Sequence, residues 1–220
     1  MTTKTRSTWW GPGLLLFFGL SSVLFGALQI GTLQSGPPAE PNETMHYFDM
    51  PIPIMIHIVS GILFSVLGPF QFAPVIRQRW PRWHRMTGTI LLVAGLGVAG
   101  SSIWMNQNFP EFGGILKYLG VLLSSVFLIF SEIQAIRFIV AKNVSKHRAW
   151  MMRAMAMVLG PATQRSTIIP YFLVMGEPSE WMLGLLVCAG WIINLSFVEW
   201  FLWRERRKKL GNRELELASV

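Results

Sequence analysis

The stretch from Met50 to Ile76 contains no Asp, Glu, Lys or Arg. It is followed at once by the basic segment RQRWPRWHR and by a second uncharged run that begins at Met86. About 20 helical residues cross the roughly 30 Å of bilayer hydrocarbon, so each run is long enough to span a membrane. Basic residues in a short loop between two spans keep that loop on the cytoplasmic side. This one feature sets the class of the chain and its orientation, though not a reaction.

The rest of the composition agrees. The 220 residues are 52% hydrophobic and only 14% charged, with a mean hydropathy of +0.44, whereas soluble domains carry about 25% charged residues. A soluble domain could not bury so much apolar surface, so the excess faces lipid. The net charge of +8 would suit nucleic acid if it formed one patch. Here all basic residues except Lys117 and Arg165 fall at the N-terminus, in two inner loops, at the inner end of one helix or in the tail. That is the distribution of a membrane topology, and no nucleic-acid partner is expected. Cys188 is the only cysteine, which excludes an internal disulfide and any multi-cysteine iron–sulfur cluster built by this chain alone.

The expected fold is all-α: a polytopic integral membrane protein of six transmembrane helices with a four-helix core, in one domain over residues 1–220. The spans are expected at about 11–33, 51–75, 87–105, 112–136, 149–173 and 181–203, with a basic cytoplasmic tail over 204–220. The first apolar run is too long for a signal peptide and lacks a clean cleavage site. The segments QSGPPAEPNETMHYFD and NQNFPEF carry no Lys or Arg and read as external loops. Both termini are then cytoplasmic, and a bacterial cytoplasmic (inner) membrane is the expected location. Pro69 and Pro74 should kink or shorten the second helix, and Pro161 and Pro170 should break the fifth. The small residues Gly95, Gly97, Ala99 and Gly100 favour close packing of the third.

Two clusters carry candidate chemistry. At the inner end, His84 opens the third helix in WHRMTG and His147 opens the fifth in KHRAWMMR. Two histidines at matched depth can supply the axial nitrogens of a haem b, with Arg85, Arg148 and Arg153 as counter-charges for the propionates. The same pair suits another metal, lipid phosphates or plain interfacial charge, and these alternatives stay open. Glu132 lies about 12 Å inside Val140 by helical rise. A buried carboxylate needs a partner or a proton, and Arg153 and Arg137 are the candidate partners. Glu199 reads as a structural ion-pair residue. Toward the outer face, His57 and Arg165 lie at similar depth, with Ser60 three residues beyond His57. An arginine inside a span costs about 2.5–3.5 kcal/mol unless paired or hydrated. It therefore marks a polar cavity or a bound anionic group: a quinone head group, a haem propionate, a small anionic ligand, or a helix-tying hydrogen-bond network.

The motifs H-x-x-x-G at His57 to Gly61, W-H-R-x-x-G at Trp83 to Gly88 and H-R-x-W-M-x-R at His147 to Arg153 resemble a family of bacterial membrane proteins catalogued as domain of unknown function 2306. The resemblance runs from the second helix to the sixth and implies a fold more than an activity. The layout is also distantly similar to six-helix b-type cytochromes of the b561 type, in which histidine pairs join the second helix to the fourth and the third to the fifth. By helix number His84 and His147 match the second of those pairs. His57 has no mate, since the fourth helix holds no histidine.

Three functions follow as expectations. One is a redox protein with a haem b or a quinone site between the third and fifth helices. Another is a small carrier or channel for a solute or protons, suited by Arg165, Glu132 and the broken helix. The last is an accessory subunit of a homo- or hetero-oligomeric membrane assembly. No phosphate loop, dinucleotide fingerprint, HExxH or GxSxG motif occurs.

Overall fold

The computed structural model describes residues 10–38, 45–109 and 113–218. Nine helices follow one another among them: α1 Trp10–Gln34, α2 Met45–Asp49, α3 Pro51–Gln71, α4 Pro74–Arg79, α5 Pro81–Asn108, α6 Gly114–Val140, α7 Val144–Val158, α8 Gly160–Met175 and α9 Glu180–Ala218. Within the described residues α1, α3, α5, α6 and α9 are long and apolar enough to cross a membrane. The protein is an all-α, multi-pass membrane protein. Its outward faces are apolar: Phe17, Val93, Leu123 and Ile192 are all exposed. In water that surface would be costly, whereas lipid tails solvate it.

Proline sets several of the boundaries. α3, α4 and α5 each begin with proline in the first turn, where its missing N–H is one of the unpaired donors anyway. The second expected span therefore ends at Gln71 rather than 75, and Pro74 starts a separate short helix. The basic segment expected as a loop is largely helical, with Arg82, His84 and Arg85 already on α5. Asn143 caps α7, its side chain accepting from the Lys146 backbone N–H at 3.1 Å.

The fifth expected span is not one helix. It divides at Leu159 into α7 and α8, of 15 and 16 residues. Pro161 has no N–H to give the Met157 carbonyl, which is left without its helical partner. By contrast, Pro170 sits inside α8 without ending it. The basic tail is helical as well, for α9 continues past Trp203 to Ala218. Its Lys, Arg and Glu residues are good helix formers, and Lys209 lies 3.7 Å from Glu205 one turn away.

The core runs along α3, α5, α6 and α7, where Phe64, Leu91, Leu128 and Met155 are buried, and it is closed by Val198 and Leu202 of α9. α1 packs mainly on α3, and α8 on α9. Charge divides the bundle into two ends. One carries Arg77, Arg79, Arg82, Arg85, Arg137, Lys142 and the arginines of α9. The other carries His46, Tyr47, Phe109, Lys117 and Glu180.

Candidate functional site

A cavity of about 510 Å³ lies in the half of the bundle away from the basic end. Every helix except α4 contributes to its wall. Phe25 and Gln29 come from α1, His57 and Ser65 from α3, Ser102 and Asn106 from α5, Lys117 and Ser125 from α6, Val158 from α7, Gln164 and Arg165 from α8, and Trp191 from α9. His46 and Tyr47 of the short α2 line it too. Their rings form an aromatic cluster with Phe109, at 4.5 Å and 5.3 Å between centroids. Burial pushes the Tyr47 phenol above its ordinary range.

His57 and Arg165, paired by depth alone from the sequence, do line the same cavity. The His57 Nδ1 lies 3.2 Å from Ser101 Oγ and 3.1 Å from Ser102 Oγ. These contacts tie α3 to α5 and fix the imidazole plane. The Arg165 guanidinium stacks over the Phe25 ring at 4.5 Å, a cation–π contact that holds it against α1. Its Nη1 is buried and has no hydrogen-bond partner. No aspartate or glutamate is among the described residues lining the cavity. Among the described residues, Arg165 thus meets the cavity with no carboxylate in the wall beside it.

The α7–α8 break stands beside Arg165 and is stitched to α9. Trp191 Nε1 donates to the Met157 carbonyl at 3.2 Å, and Asn194 Nδ2 donates to the Ala156 carbonyl at 3.1 Å. Thr163 Oγ1 lies 2.7 Å from Asn194 Oδ1, and Gln164 Nε2 donates to the Val187 carbonyl at 2.9 Å. Gly160 faces the Trp191 indole so closely that a Cβ would collide with it. The Met157 carbonyl freed by Pro161 is thereby satisfied inside the bundle, as a break at membrane depth requires.

The other expected site residues go elsewhere. Ser60 does not line this cavity; it packs against Gly97 of α5 and borders a separate apolar groove with Leu63 and Met86. Glu132 is fully buried at 1% exposure, and neither carboxylate oxygen has a partner. The arginines expected to meet it are engaged with other groups. Arg153 donates from Nε and Nη2 to the two oxygens of Glu199 at 2.6 Å and 2.9 Å, and Arg137 donates to Gln134 at 3.0 Å. Glu199 thus forms an ion pair between α7 and α9, the arrangement expected of it.

At the basic end His84 lies within electrostatic range of His147 and Arg77. The His147 Nδ1 is 2.9 Å from the Ala135 carbonyl oxygen, and the His84 Nδ1 is buried without a partner. The arginines expected beside this pair are engaged with other groups or exposed. Arg148 is bound to Glu205 at 2.7 Å and Arg153 to Glu199, while Arg85 is exposed. Neither of the two cavities described is lined by His84 or His147. No group of three or more His, Cys, Asp or Glu suited to a metal occurs among the described residues.

Residues 54–203 match the family DUF2306, described as "Predicted membrane protein". The chain belongs to this family. The family match takes in α5 to α8 and nearly all of α3, including His57, Glu132 and Arg165, and it leaves out α1 with its part of the cavity wall. No curated protein and no solved structure matched the chain.

Several cavity residues escape sequence reasoning, notably Phe25, Ser102, Asn106 and Trp191. The Ser101–Ser102 pair inside an apolar helix was the available signal for the partners of His57. Nothing in the sequence marks Phe25 among the other aromatics of α1.

Proposed function

We propose that this membrane protein is a carrier whose cavity binds a small anionic ligand, with Arg165 as its counter-charge. The observation that carries this reading is the unpartnered, buried Arg165 Nη1 in a cavity with no carboxylate among its described lining residues. A guanidinium at membrane depth is retained where something meets its charge. A carboxylate or phosphate does so by charge-assisted hydrogen bonds, each contributing about 1.5–3 kcal/mol. The neighbouring broken helix supports a carrier over a static binding protein, because transporters place ligand sites at discontinuous helices.

In this reading α7 and α8 together make a sixth crossing, and both termini lie with the arginine-rich loops. The positive-inside rule puts that end in the cytoplasm of a bacterial cell and opens the cavity to the opposite side. An accessory role gives no account of the unpartnered guanidinium nitrogen.

A quinone head group is the second reading and keeps the redox expectation. The observation in its favour is that His57 and Arg165 border a cavity walled by Phe25, Phe109 and Trp191. Quinone carbonyls accept hydrogen bonds from the same donors that hold an anion.

Thermal unfolding of the purified protein tests both, with phosphate, small carboxylates and short-tail quinone analogues in separate arms. A ligand that binds only the folded state raises the midpoint. The expected result is a shift with an anion for the unsubstituted protein and none for Arg165→Leu. A shift confined to the quinone arm selects the second reading. No shift in any arm, or equal shifts in both proteins, overturns the proposal.

A further inference from the structure

Below the cavity lies a carboxyl that ligand binding does not use. Glu132 is 1% exposed, and both its oxygens lack partners. Gly95 of α5 makes room for it, since a Cβ at that position would collide with Oε1. On α5, Gly95 is three residues from Val98. On α6, Glu132 is four residues from Leu128. Val98 and Leu128 both line the cavity, so the carboxyl stands about one helical turn, roughly 5 Å, beneath its floor. Side chains on a helix tilt toward its N-terminus, which on α6 is the direction of Leu128. Ser65, 1% exposed and with an unpartnered hydroxyl, belongs to the same floor.

Among the described residues no charge offsets this carboxyl. From α7, His147 is bonded to the Ala135 carbonyl, Arg148 to Glu205 and Arg153 to Glu199. The carboxylates of α9 are the partners in those last two pairs. On α6 itself Arg137 is bonded to Gln134. On α5, His84 is three turns from Gly95 toward the basic end. The nearest titratable group of α3, His57, is held by Ser101 and Ser102 at the level of the cavity, where Arg165 and Lys117 also stand. An ionised carboxylate in such surroundings is strongly disfavoured unless a proton neutralises it.

We propose that Glu132 is a proton-binding site that exchanges its proton with the cavity. The step is a simple transfer. The carboxyl O–H bond breaks, the proton passes to water or to the His57 imidazole in the cavity, and the carboxylate takes a proton back from the same side. The inference rests on the cavity being open to solvent and ligand, as the carrier reading requires. It gives that carrier a titratable group beside its ligand cavity.

Infrared spectroscopy of the full chain in lipid tests this directly, because a protonated carboxyl absorbs in a window clear of amides and carboxylates. The expected spectrum has a protonated-carboxyl band that is absent in Glu132→Gln and moves down in D2O as the proton exchanges. Carboxyl-13C glutamate in the unsubstituted protein must shift the same band, which keeps the test valid if the Gln variant folds poorly. A missing band, or one unmoved by 13C-glutamate, overturns the proton site. A band unchanged in D2O overturns its link to the cavity. The measurement needs no ligand. An exchanging band with no stabilising anion therefore sinks the ligand reading alone, and a stabilising anion without the band sinks the proton site alone.

Discussion

The indole Nε1 of Trp191 donates to the carbonyl oxygen of Met157 at 3.2 Å, across the break between α7 and α8. That carbonyl lost its helical donor to Pro161, and α9 supplies a replacement. The break is therefore a fixed part of the bundle, and it sets where Arg165 begins its approach to the cavity.

Trp191→Phe keeps most of the ring volume and removes the donor. A buried acceptor left unsatisfied costs about 1–3 kcal/mol, so the variant should unfold at a clearly lower denaturant concentration or temperature. Asn194→Ala should act in the same direction through the Ala156 carbonyl. An unchanged midpoint in both would mean that the break is satisfied some other way.

Arg153 and Glu199 form a two-point ion pair between α7 and α9, with the arginine side chain 13% exposed and the glutamate 47% exposed. Partial exposure limits its strength, and Glu199→Ala should cost about 1 kcal/mol. Arg153→Ala should cost more, about 1–2 kcal/mol, because Arg153 also stacks on Trp150 at 4.4 Å. Thermal midpoints of the two variants, compared with the double variant, measure the coupling.

Gly95 admits the Glu132 carboxyl, so Gly95→Ala should overpack α5 against α6. Inserting atoms into a packed interior costs about 1–3 kcal/mol. Combining it with Glu132→Ala should relieve most of that loss. Unfolding midpoints that simply add, without relief, would show that the two residues do not share the space.

The carrier reading assigns no haem to His84 and His147. Oxidised and dithionite-reduced absorption spectra of protein from haem-replete cells are expected to be the same for the unsubstituted chain, His84→Ala and His147→Ala. A sharp b-type band in the reduced protein, lost in either variant, would instead assign both residues as axial ligands.

Much of this protein is written locally. The membrane class, the apolar spans and the grouping of arginines at one end follow from hydropathy and charge along the chain, which need no knowledge of neighbours. His57 and Arg165 were legible for the same reason, because a polar residue in an apolar run is conspicuous and its depth follows from counting residues. What lies around each helix was not legible. Arg153 meets Glu199 rather than Glu132, Ser60 turns away from His57 toward Gly97, and Phe25 covers Arg165. Each outcome depends on helix rotation and on which face meets which partner, and small shifts in crossing geometry change both. The isolation of Glu132 is the clearest case. Its sequence shows only a carboxyl near two arginines, whereas packing gives both arginines to other residues and leaves the acid alone under the cavity.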